Sequence, residues 1–152
     1  MEQSLEIALA LGAPLLSAPL PPETVTSWSE VQAQLGAAAS HAKRLNVTIA
    51  VRNMPHTFAA STHDMKRVSK EADSAWLRYG PEFTAFDAGS EPQSVLPKTV
   101  LVWHELCELS AIEPIARLLA AYRGFVALDD SQGAAKADST VAALRAWRTA
   151  VQ

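Results

Sequence analysis

The chain has 152 residues, 49% of them hydrophobic, with 13 basic and 16 acidic side chains and a net charge of −3. This excludes wholesale disorder and fits one domain, residues 1–152, with a real buried core. The acidic balance argues against a nucleic-acid partner, and no apolar run approaches the ~20 residues of a membrane span. Residues 1–14 carry no Lys or Arg, as a secretory signal would, so a cytoplasmic protein is expected. The lone cysteine, Cys107, cannot close an intramolecular disulfide and reads as a small buried hydrophobe.

In chain order, Leu5 to Leu11 is rich in helix formers and stops at Gly12. A short apolar run from Pro14 to Leu20 follows. Ser27-Trp28-Ser29-Glu30 reads as a capping box, and Val31, Leu35, Ala38, Ala42 and Leu45 then share one helical face up to Asn46. Val47 to Val51 is apolar and β-branched, as a strand buried on both faces requires. Ser61 to Asp64 starts another helix, with Met65, Val68 and Ala72 on one side.

Phe83 to Phe86 is expected to be a short strand ending at Asp87, and only a turn or one helical turn fits between Asp87 and Lys98. Thr99 to Trp103 is a further strand, followed by a helix from Ser110 with Ile112, Ile115, Leu118, Leu119 and Tyr122 inward. Phe125 to Leu128 is the last strand, and a final helix begins near Ser139. Strands alternating with helices imply βαβ units and a mainly parallel sheet.

Polar residues stand directly after the apolar runs: Arg52-Asn53, Asp87, His104-Glu105 and Asp129-Asp130. Parallel α/β folds bind ligands beyond the carboxyl ends of their strands, so these residues are the candidate site. His56, in the loop after the second strand, and Trp103, an aromatic surface for a sugar ring, are further candidates for substrate binding. His41 reads as a surface residue of its helix, and no Gly-rich phosphate loop or Gly-x-Ser-x-Gly elbow is present.

Ala10-Leu11-Gly12-Ala13, Ala39 to Val51, Asn53 with Pro55, Asp87 with Gly89, Val102 with His104, and Gly124-Phe125 with Leu128-Asp129 come in an order that resembles the C-terminal part of a xylose isomerase-like (β/α)8 barrel. The resemblance implies a sugar phosphate isomerase or epimerase fold acting on or binding a small sugar or sugar phosphate. It also implies a divalent metal (Mn, Mg, Co or Zn) held by Asp87, His104 and Asp129. Asp129 or Glu105 would then be the catalytic base, with Arg52, Asn53, His56 and Trp103 binding substrate.

Arg52 stands where that family has a glutamate, and Ser90 where it commonly has a histidine. A guanidinium cannot ligate a cation and would pair with neighbouring carboxylates instead, so the metal site is expected to be degenerate. The second reading is accordingly a non-catalytic descendant that serves as a binding or oligomerisation module. A complete barrel needs at least ~200 residues, so about five of eight strands fit in this chain. The expected architecture is therefore a partial, about five-stranded TIM-type barrel, or alternatively a flattened doubly wound sheet. With open edges, the chain is expected to form a homo-oligomer or to be part of a longer chain.

Overall fold

The computed structural model describes residues 1–86, 89–105, 119, 122–129, 141, 142, 145, 146, 148 and 149. The expected helices from Ser110 and Ser139, together with Asp87, Cys107 and Asp130, fall wholly or mostly outside these residues.

Helix α1 (Glu2–Ala10) leads into strand β1 (Leu15–Pro19), α2 (Trp28–Leu45) into β2 (Thr48–Arg52), and α3 (Thr62–Ala72) into β3 (Leu77–Tyr79). Strands β4 (Leu101–Glu105) and β5 (Phe125–Asp129) form a second sheet. The first turn follows from glycine chemistry. Gly12 adopts φ +68, and its N–H and that of Ala13 cap the carbonyls of Leu9 and Ala8 at 2.9 and 2.8 Å. That closure ends α1 and aims the chain into β1.

Ser27 and Ser61 each form the reciprocal capping box, with Glu30 and Asp64 as partners. Asn46, left-handed at φ 55, closes α2. The helices bury the stripes their spacing predicts, Val31, Leu35, Ala38 and Ala42 on α2 and Met65 and Val68 on α3. These pack on Ile49 and Val51 of β2, and each large side chain fully buried this way is worth about 1.5–3 kcal/mol.

All strand pairs are parallel, in the order β1-β2-β3 and β4-β5. The two sheets are joined by bridges from Tyr79 to Thr99 and from Glu82 to Trp103, with Val100 N–H and Trp103 N–H donating to Tyr79 and Pro81 carbonyls at 3.0 and 2.8 Å. Gly80 permits the close passage of this segment, since a Cβ there would lie 3.1 Å from the Ala50 Cβ. Among the described residues the result is a curved run of five parallel strands, a partial TIM-type barrel rather than a flattened layer. Trp103 on β4 reaches across the concave side to donate its indole N–H to Ser17 Oγ on β1 at 3.1 Å.

One expected strand is corrected. Phe83–Ala85 is a 3-10 turn, and the strand lies earlier, at Leu77–Tyr79. Arg78 on this strand faces the concave side in register with Ala50, and its guanidinium curls back to the Ser74 and Leu77 carbonyls at 3.3 and 3.1 Å. A basic residue followed by Gly80-Pro81 disguises the strand as a loop. Pro92–Lys98 is a second 3-10 segment, in keeping with the short connection expected there.

Asn53, fully buried, splices the end of β2 to the segment after β3. Its side-chain NH2 donates to the Glu82 carbonyl at 3.0 Å, and its carbonyl oxygen accepts from the Glu82 N–H at 2.7 Å. Asn53→Ala strands the Glu82 N–H and leaves the Glu82 carbonyl with the Ala85 N–H at 3.2 Å as its remaining donor. We predict a net loss of about 1–3 kcal/mol in urea unfolding, and a loss below about 0.5 kcal/mol would refute this account of the splice.

The Glu30 carboxyl is held below the usual carboxylate range by the Ser27 backbone N–H, with the Thr26 and Ser27 hydroxyls adding to the effect. A lowered folded-state value means this helix-start stabilisation is complete above the unfolded pKa and is lost as pH falls through the folded one. Glu30→Gln should therefore flatten the acid limb of the Tm-versus-pH curve. An unchanged limb would show that the box contributes nothing there.

Candidate functional site at the strand ends

Side chains alternate across a strand, so register decides which of them meet. Ser17 pairs with Ala50, Pro19 with Arg52, Trp103 with Ala127 and Glu105 with Asp129, while Glu82 bridges to Trp103. Ser17, Arg52, Glu82, Trp103, Glu105 and Asp129 therefore share the concave face, with Arg52, Glu105 and Asp129 at the carboxyl ends of their strands and Glu82 just beyond the end of β3.

Arg52 is the centre of this mouth. Its Nη2 donates to Glu82 Oε2 at 2.7 Å and lies 3.9 Å from Asp129 Oδ2. Its guanidinium carbon sits 4.5 Å from the centroid of the Trp103 ring, a cation–π distance. The second Glu82 oxygen accepts from Thr84 Oγ1 at 3.4 Å, so both ends of that carboxylate are engaged. Side-chain exposures of 27% for Arg52, 16% for Glu82 and 29% for Asp129 place the pairs where solvent screens them only in part. Asn53 holds the Glu82 backbone from behind, and so positions the carboxylate without lining the mouth. The Arg52 Nε–H is buried and meets no acceptor among the described residues, although a buried donor ordinarily has one.

The candidates from sequence separate accordingly. Arg52, Trp103, Glu105 and Asp129 come together on one face. His104 follows Trp103 in β4 and so points to the opposite face, where it is 1% exposed beside Val102. His56 is exposed at φ 61 in the loop after β2 and takes no part in the ion pairs of the mouth. Asp87 lies outside the described residues. An acid that follows the third strand into the mouth is Glu82, which sequence patterning misses because Arg78 and Gly80-Pro81 disguise that strand. Its signal was the Tyr79-Gly80-Pro81-Glu82 exit, an acid at a strand end like those after the other strands.

A divalent ion does not fit the arrangement of the described residues. A permanent guanidinium charge sits between the two converging carboxylates, His104 faces away, and no three His, Cys, Asp or Glu side chains cluster suitably among the described residues.

No protein-family model matches the sequence, and no curated protein matches it either. The solved structures do resemble the fold. A D-psicose 3-epimerase crystallised with D-fructose superposes with a TM-score of 0.78 at 11% identity, over 99% of this chain and 68% of that one. The 3-keto-D-glucoside 4-epimerase YcjR from E. coli gives 0.74 at 16% identity, over 97% of this chain and 68% of that one. A xylose isomerase-like TIM barrel protein from Mycobacterium smegmatis in complex with magnesium gives 0.72 at 15% identity, over 99% of this chain and 66% of that one. The chain thus spans about two thirds of the barrels it superposes on, and over that span its fold resembles theirs, part of a TIM barrel.

Proposed function

We propose that the mouth binds a small sugar or sugar phosphate, on a sugar-epimerase type of barrel whose metal centre is degenerate. The observation that carries this reading is the Arg52 guanidinium, fixed by Glu82, Asp129 and Trp103 with its buried Nε–H lacking an acceptor. A hydroxyl, carbonyl or phosphate oxygen supplies that acceptor, and a phosphate does so with charge assistance. Trp103 offers an apolar surface beside it, and Asp129 and Glu105 are acceptors for sugar hydroxyls. The sugar epimerases among its structural neighbours support the ligand class.

The chemistry left to these residues is orientation: Arg52 fixes one ligand oxygen, while Glu82 and Asn53 hold Arg52. Calorimetric titration of ketoses and their 6-phosphates into the protein tests this. Arg52→Ala should weaken binding of the best ligand at least roughly 10-fold, since a hydrogen bond to a charged group contributes about 1.5–3 kcal/mol. Equal affinity in the variant, or no binding of any compound in the series, would discard the proposal.

A second reading, isomerisation or epimerisation with Asp129 or Glu105 as the base, is favoured by one observation. These two carboxylate residues are register partners on the concave face, one strand spacing apart. It requires slow ketose epimerisation that persists in a chelator and is abolished by Asp129→Asn. Turnover undetectable by NMR over days would remove it.

A further inference from the structure

We infer that Arg52 is the resident cation of the mouth, seated where two carboxylates converge, and that reversing the charge at this one position converts the mouth into a divalent-cation site. The inference rests on the geometry of the ion pairs and not on the sugar reading.

Glu82 Oε2 and Asp129 Oδ2 lie 2.7 and 3.9 Å from the same nitrogen, Arg52 Nη2. Two carboxylates brought this close repel each other unless a positive charge stands between them, and here a guanidinium supplies it. Both acids are held by independent elements. Glu82 is fixed through its backbone by Asn53, and Asp129 by the β4–β5 ladder, with Glu105 beside it in register. The pair of acids therefore does not need Arg52 for its placement, only for its charge balance.

A hard divalent ion takes oxygen ligands, and two are already directed at one point. Among the described residues, what the Arg52 position lacks is a further oxygen ligand beside Glu82 and Asp129 and room for the ion, and one substitution supplies both. The glutamate side chain is shorter than that of arginine, so Arg52→Glu vacates the guanidinium position while bringing an oxygen donor to its edge. Arg52→Gln vacates the position and removes the charge but adds no anionic ligand. The three proteins thus form a series in which only residue 52 changes.

Manganese binding, read by loss of the free Mn(II) electron paramagnetic resonance signal at low ionic strength without sugar, tests this. Arg52→Glu should bind one ion per chain roughly 100-fold more tightly than the native protein, as expected for reversing a unit charge about 4 Å from the site. Arg52→Gln should fall between them, and Arg52→Glu/Glu82→Gln should lose most of the gain. If three carboxylates prevent Arg52→Glu from folding without metal, restoration of its circular dichroism by manganese reads the same event. If it folds under neither condition, Arg52→Gln decides, with binding at least roughly 10-fold tighter than native required. Native protein that binds manganese as tightly as Arg52→Glu overturns the inference. So do folded Arg52→Glu and Arg52→Gln proteins that bind no better than native. A negative sugar titration leaves this result untouched, because no sugar enters the assay.

Discussion

The mouth depends on one ion pair and on what stands behind it. Arg52 Nη2 meets Glu82 at 2.7 Å, and the backbone of Glu82 is held at both its N–H and its carbonyl by the amide of Asn53. Neighbouring residues of one strand thus divide the work. The side chain of Arg52 carries the charge and faces the concave side, while Asn53 turns inward and sets the position of the counter-charge. A carboxylate this well constrained loses little further entropy on pairing, which is why such a contact contributes where an exposed, mobile pair would not. The same constraint makes the site selective about its cation, since a charge built into the chain is never diluted away.

Much of this was legible in the sequence, and the failures have physical causes. Ser27 with Glu30 and Ser61 with Asp64 marked two helix starts because a cap satisfies orphan N–H groups by a local rule. Val47 to Val51 announced a buried strand because burial on both faces admits only apolar residues. Leu77–Tyr79 was hidden, because a strand lining a barrel interior can carry a basic residue such as Arg78, whose guanidinium turns back to nearby carbonyls. With that strand hidden, the acid at its exit, Glu82, is hidden with it.

His104 shows a different limit. Its residue type and its place after an apolar run marked it as a ligand, but the pleat gives adjacent residues opposite faces, and Trp103 holds the concave one through Ser17. A shift of one residue exchanges ligand for core, and spacing alone does not resolve so small a step. Arg52, by contrast, was readable in advance. A guanidinium at a strand end among acids has few destinations, and pairing with carboxylates is the one the structure displays.

The indole bond from Trp103 to Ser17 spans 86 residues of chain, whereas the βα pairings on either side join segments far closer in sequence. Contacts of such long separation are reached only after a large loop-closure cost, and they slow the search for the native state. Nascent chains will therefore form their helix–strand units early and draw the first and fourth strands together late. Until then, Arg52 has neither its aromatic platform nor the Asp129 carboxylate beside it. On this account the mouth is complete only once these long-range contacts have closed.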